Sequence, residues 1–121
     1  MTRVEQVKNW LEGLPQLAGY TFSRGAWPEQ EPGEQFVAIW SDDGRRDVDE
    51  ELAYYRVTIT GQRGKRADGL IVLGAAEAIY SASLSACIGD AVRVLPRGGI
   101  VGPGYTTEGR AWAELTLELL I

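Results

Sequence analysis

The chain has 121 residues, seventeen Asp and Glu against twelve Lys and Arg, one cysteine and no histidine. That length fits a single domain, 1–121, with enough core to fold without a disulfide or a metal. The missing histidine removes His-based triads, His general bases and Cys/His zinc sites, and the net charge of -5 argues against a nucleic-acid-binding surface over the whole domain.

Thr2 and Glu5 have the spacing of a capping box, and Val4, Val7, Leu11 and Leu14 follow as one stripe of an amphipathic helix over about residues 3–13. Pro15 disfavours helical geometry at Leu14 and ends it. Tyr20 to Ser23 reads as a strand running toward Trp27, and Pro28 to Glu34 as an acidic turn. Phe36 to Trp40 is almost wholly apolar, as expected of a strand covered on both faces. Ser41 to Glu51 is dominated by charge and is expected to be a solvated loop. Leu52 to Thr60 alternates clearly, with Tyr55, Val57 and Ile59 on one face.

A basic, glycine-punctuated connection follows, carrying Arg63, Lys65 and Arg66. Asp68 is placed to cap a helix over about 69–86, whose expected buried side is Leu70, Ile71, Ala75, Ala78, Ile79 and Ala82. Ile88 to Leu95 reads as a strand closed by Pro96. Residues 96–109 hold five glycines and two prolines and are expected to be a long loop. The last strand alternates Ala111, Ala113, Leu115, Leu117, Leu119 and Ile121 with Trp112, Glu114, Thr116, Glu118 and Leu120. The class is therefore α+β: about five strands in a mostly antiparallel sheet with two helices packed on it, in the order α-β-β-β-α-β-β.

Three features invite a chemical reading. The carboxylates Asp42, Asp43, Asp47, Asp49, Glu50 and Glu51 could ligate a divalent cation. Their spacing misses the twelve-residue calcium loop, and Arg45 and Arg46 sit among them, so a self-neutralising solvated loop is preferred. The connection around Arg63, Lys65 and Arg66 lacks the Gly-Lys-Ser/Thr closure of a phosphate loop and reads as a turn or a charged patch for a protein partner. Cys87 has no histidine to make it a thiolate and reads as a small core residue. Trp10, Trp27, Trp40, Trp112, Tyr54 and Tyr55 read as core or interface. No catalytic set, metal site or cofactor site is assembled, and the chain is read as a non-enzyme.

No stretch reaches the roughly 20 apolar residues of a membrane helix, and the N-terminus lacks the apolar core of a signal peptide. A cytoplasmic place of assembly without a membrane partner is expected. Ten of the twelve cations are arginine, which forks onto carboxylates; arginine on one copy facing an acidic loop on another would make a self-assembly code.

The order of elements resembles the tail terminator, or tail-completion, proteins of long-tailed bacteriophages, also called minor tail or tail-to-head joining proteins. The resemblance covers almost the whole chain. It is carried by the helix Val4 to Leu11, the strand Phe36 to Trp40, the tyrosine-bearing strand Tyr54 to Thr60, the alanine-rich helix ending at Ser85, and the strand Trp112 to Leu119. It implies a structural virion protein at the head-proximal end of the tail, built in the host cytoplasm. Such a protein forms a ring, usually a hexamer, that caps the tail tube, stops its polymerisation and meets the head-tail connector protein. DNA then passes through the ring without specific binding. The candidate protein interface is Asp42, Asp43, Arg45 and Arg46, with Arg63, Lys65, Arg66, Arg97 and Tyr105. The alternatives are another neck, head-completion or tube-like protein of such a particle and, more remotely, a small metal-dependent enzyme or ligand-binding domain using residues 42–51.

Overall fold

A computed structural model describes residues 3–24, 35–46, 51–62, 69–88, 93–106 and 109–120. The elements are α1 (Arg3–Glu12), a single 3-10 turn (Pro15–Leu17), β1 (Thr21–Arg24), β2 (Phe36–Arg46), β3 (Glu51–Thr60), α2 (Gly69–Ser83), β4 (Arg93–Tyr105) and β5 (Ala111–Leu120). The α+β class and the order of elements are those expected. The proposed caps Thr2 and Asp68 and the turn Pro28 to Glu34 lie outside the described residues.

The apolar stripe of α1 buries Val7 and Leu11 completely, while Lys8 and Glu12 form an exposed i,i+4 ion pair at 3.0 Å. The N–H groups of Gly13 and Leu14 donate back to Trp10 and Leu11, and Pro15 then opens the short turn that buries Leu17. β1 pairs parallel to β2, and every other pairing is antiparallel, in the order β1-β2-β3-β5-β4. Phe36, Val37, Ala38 and Ile39 are all fully buried, as the unbroken apolar run requires.

β2 departs from expectation by continuing through Ser41 to Arg46, into residues read as loop. Arg45 pairs with Leu52 and Arg46 with Glu51, after a register shift between Asp42 and Arg45. Strand hydrogen bonds are made by the backbone, so charged side chains do not stop a ladder whose partner strand is already in place.

α2 ends at Ser83, three residues sooner than expected, where the Ser83 hydroxyl donates to the Tyr80 carbonyl at 2.7 Å. Its phase also differs. Val72, Ala75, Ala76, Ile79 and Ser83 are buried, whereas Leu70 is 79% and Ile71 60% exposed. Ala78 and Ala82 are half-buried. The helix is apolar on nearly every side, so its periodicity does not say which side meets the sheet.

β4 is the largest correction. It begins at Arg93 and runs through Pro96 and Pro103 to Tyr105, across residues expected to form a loop. It lies at the edge of the sheet, where a missing N–H can face outward. Register shifts between Arg97 and Val101, and between Val101 and Gly104, absorb the extra residues. Gly98 and Gly102 take φ of 70° and 118°, which side chains rarely adopt. Ile88 is buried but precedes the strand. Cys87, expected in the core, is exposed.

β5 alternates as expected, with Ala111, Ala113, Leu115, Leu117 and Leu119 all buried. These side chains join Val37, Ile39, Tyr55, Val57 and Ile59 under Val7 and Leu11 of α1 and Val72, Ala76 and Ile79 of α2. Both helices therefore cover one face of the sheet, and the alternate residues of β2, β3 and β5 form the other, which carries no helix among the described residues.

Candidate functional site on the helix-free face of the sheet

Strand register sets the helix-free face out in rows. One row runs Trp40, Arg56, Thr116 and Arg97 across β2, β3, β5 and β4; the next runs Ala38, Thr58, Glu114 and Val101. Phe36, Thr60, Trp112 and Gly104 form a third row, and Asp42, Tyr54, Glu118 and Leu95 a fourth. Along β3 and β5 alternation puts these side chains on one side because their neighbours in sequence, Tyr55, Val57, Ile59, Ala113, Leu115, Leu117 and Leu119, are committed to the core.

The polar groups of this face contact one another across strands. The Thr58 hydroxyl donates to Glu114 Oε2 at 3.0 Å. The Arg56 guanidinium lies over the Trp40 ring, 5.4 Å from its centroid. Arg97 lies 5.2 Å from the centroid of the Tyr54 ring and donates from Nη1 to Glu118 Oε1 at 3.2 Å. Trp40, Arg56, Thr58, Thr106, Trp112 and Glu114 line a cleft of about 250 Å³. Tyr54, Arg97, Gly98 and Thr116 line a shallower hollow beside it, of about 320 Å³.

A buried arginine closes one end of this face. Arg110 is fully buried, its Nη1 donating to the Gly61 carbonyl at 2.8 Å and its guanidinium lying 5.8 Å from the centroid of the Phe36 ring. Its backbone N–H donates to the Thr106 hydroxyl, and the Thr106 N–H donates to its carbonyl. That arrangement ties the β4–β5 turn to the end of β3.

The expected interface residues that the structure describes do not form one cluster. Asp42, Asp43, Arg45 and Arg46 lie on β2 beyond the cleft, with their side chains outside the described residues. Arg63, Lys65 and Arg66 lie outside them as well, though Thr60 and Gly69, which bracket them, stand at the opposite end of the sheet. Arg97 belongs to the helix-free face. Tyr105 is 45% exposed at the end of β4, its hydroxyl against the first residue of α2. Arg97 and Tyr105 do not come together.

Two parts of this surface were not singled out from the sequence. Arg110 gives no sequence signal of burial. Arg56, Thr58, Trp112 and Glu114 are legible as out-facing positions of two alternating strands, whereas Trp40 ends a run that reads as covered on both faces; the five become one surface only once β3 is known to pair with both β2 and β5. Among the described residues, no group of three Cys, Asp or Glu side chains is placed to hold a metal ion. Tryptophan, tyrosine and arginine, ringed by paired polar groups, are the composition of a protein interface.

A family model described as phage tail termination protein matches residues 1–121. Among solved structures, a chain in the virion of a native gene transfer agent particle superposes with a TM-score of 0.56 at 15% identity, over 98% of this chain and 90% of that one. At that identity the likeness is one of fold. No curated protein matches the chain in sequence.

Proposed function

We propose that this chain, which belongs to the phage tail termination protein family, assembles into a ring that caps the tail tube, halts its polymerisation and offers a surface to the head-tail connector. Membership of that family makes the chain a structural component of a phage tail, and so of the virion. The ring, its six subunits, its two neighbours in the tail and its assembly in the host cytoplasm belong to the proposal. The observation that carries it is a match of the termination family over residues 1–121.

The charge balance supports the same reading. A ring of subunits each carrying a net charge of -5 repels DNA phosphates, so DNA would pass without sticking. The interface is proposed to use Asp42, Asp43, Arg45 and Arg46 on β2, Arg97 and Tyr105 on β4, and Arg63, Lys65 and Arg66. Negative-stain micrographs of the protein alone and with tail tubes test the proposal. Rings that seat on tube ends are expected. Protein that stays monomeric at high concentration and leaves tube ends bare would exclude it.

A further inference from the structure

Arg56 lies over Trp40, and its Nε is buried with no hydrogen-bond acceptor among the described residues. A buried guanidinium nitrogen without an acceptor is unfavourable, and the natural complement of the arginine fork is a carboxylate. The cleft beside it, of about 250 Å³, falls below the roughly 300–1,000 Å³ usual for small-molecule pockets, so it suits one or two side chains better than a cofactor. Its far wall is Glu114, with Oε2 already accepting the Thr58 hydroxyl. The cleft thus offers a cation and an anion between two indoles, and its complement is a segment of mixed charge rather than a purely acidic one.

The chain contains such a segment. Residues 42–51 carry Asp42, Asp43, Asp47, Asp49, Glu50 and Glu51 together with Arg45 and Arg46. It takes in the end of β2 and the first residue of β3, the same two strands that carry Trp40 and Arg56. From the Trp40–Arg56 pair the ladder continues through Asp42–Tyr54 and Arg45–Leu52 to Arg46–Glu51. At about 3.3 Å per residue, Glu51 stands about 16 Å beyond Arg56 along β3. The segment cannot return to its own cleft without unpairing that ladder, so it can reach only the cleft of another molecule.

We infer that the cleft of Trp40, Arg56, Glu114 and Trp112 is the docking site for the 42–51 segment of a second copy of this chain, with Arg56 taking one of its carboxylates. The inference rests on the self-association proposed above and names the contact through which it occurs. Two different patches meet, so the contact is heterologous; it closes a ring when the rotation between neighbours is a whole fraction of a turn with no rise along the axis.

The test uses a fluorescein-labelled peptide of residues 41–52 and the full chain, kept dilute enough to be monomeric, with binding read by anisotropy. Binding to the wild-type chain is expected, weakening as salt rises and at least tenfold weaker for Arg56→Gln, whose melting curve checks its fold. A peptide carrying D47K, D49K and E50K should not bind wild type but should bind Arg56→Glu. Equal binding to wild type and Arg56→Gln, or no binding to wild type, overturns the inference. The ring is judged separately in micrographs. Rings formed unchanged by Arg56→Gln remove this cleft and keep the ring, whereas peptide binding by a chain that never forms rings keeps the cleft and removes the ring.

Discussion

The indole of Trp112 lies against the Cα of Gly104, in the space that a β-carbon would fill: a Cβ built at Gly104 would stand 2.7 Å from the indole Nε1. The two residues face each other across the β4–β5 ladder, so the ring is held flat over the edge strand and shapes the cleft beside it. Gly104→Ala must displace the ring or the strand. Overpacking of this kind costs about 1–3 kcal/mol. A lower urea midpoint with an unchanged slope is expected, partly restored by Trp112→Leu in the same chain. An unchanged midpoint would mean that the indole is free to move aside.

Arg110 makes a second stability prediction. Arg110→Ala removes the donor to the buried Gly61 carbonyl and empties the space under Phe36. An unsatisfied buried acceptor costs about 1–3 kcal/mol, before any cavity is counted. Arg110→Met fills the space and should cost less than alanine. Thermal melting of the two variants orders them, and the reverse order would show that packing against Phe36 contributes little.

The phase of α2 can be tested without a structure. Leu70→Ser and Ile71→Ser act on exposed positions and should change stability by about 0.5 kcal/mol or less. Ile79→Ala acts on a fully buried position and should cost about 2–5 kcal/mol. Comparable losses at all three sites would mean that the helix is rotated from the position described.

Arg45→Glu with Arg46→Glu is the assembly counterpart. These arginines lie on β2 past the register shift and pair only with the start of β3, so the melting temperature should hold within a few degrees. Ring formation and tube capping should fall sharply in micrographs. Assembly at the wild-type level would remove both arginines from the interface.

Arg97→Ala separates surface pairing from stability. Arg97 is exposed, and its ion pair with Glu118 faces solvent on that side, so its loss should cost no more than about 1 kcal/mol. A larger loss in a urea melt would show that its stacking on Tyr54 holds β4 in place.

The sequence carried the fold class because each side of β3 and β5 is committed: Val57, Ile59, Leu115 and Leu117 alternate with polar or aromatic partners, and only one burial fits. The same logic fails where commitment is missing. α2 offers Leu70, Ile71, Val72, Ala75 and Ala76 with nearly equal claim, and the sheet chooses among them. β4 hides behind Pro96 and Pro103, which break central strands and are accepted at an edge. Ser41 to Arg46 reads as loop from its charges, yet the backbone pairs because β3 returns alongside it. The helix-free face was visible as single aromatic and charged residues. Their grouping depends on register, which no local pattern states. Cys87 was misread because small neighbours are as common at a helix end as in a core.

β4 is also an outer rail of the sheet, with no strand beyond it among the described residues. A long, flat, regular rail would template further strands and let one chain after another join without limit. Pro96, Pro103 and the two register shifts leave no uninterrupted row of donors and acceptors along it. For a member of a phage tail termination family, this edge carries its own stop: growth by strand addition is closed off along β4.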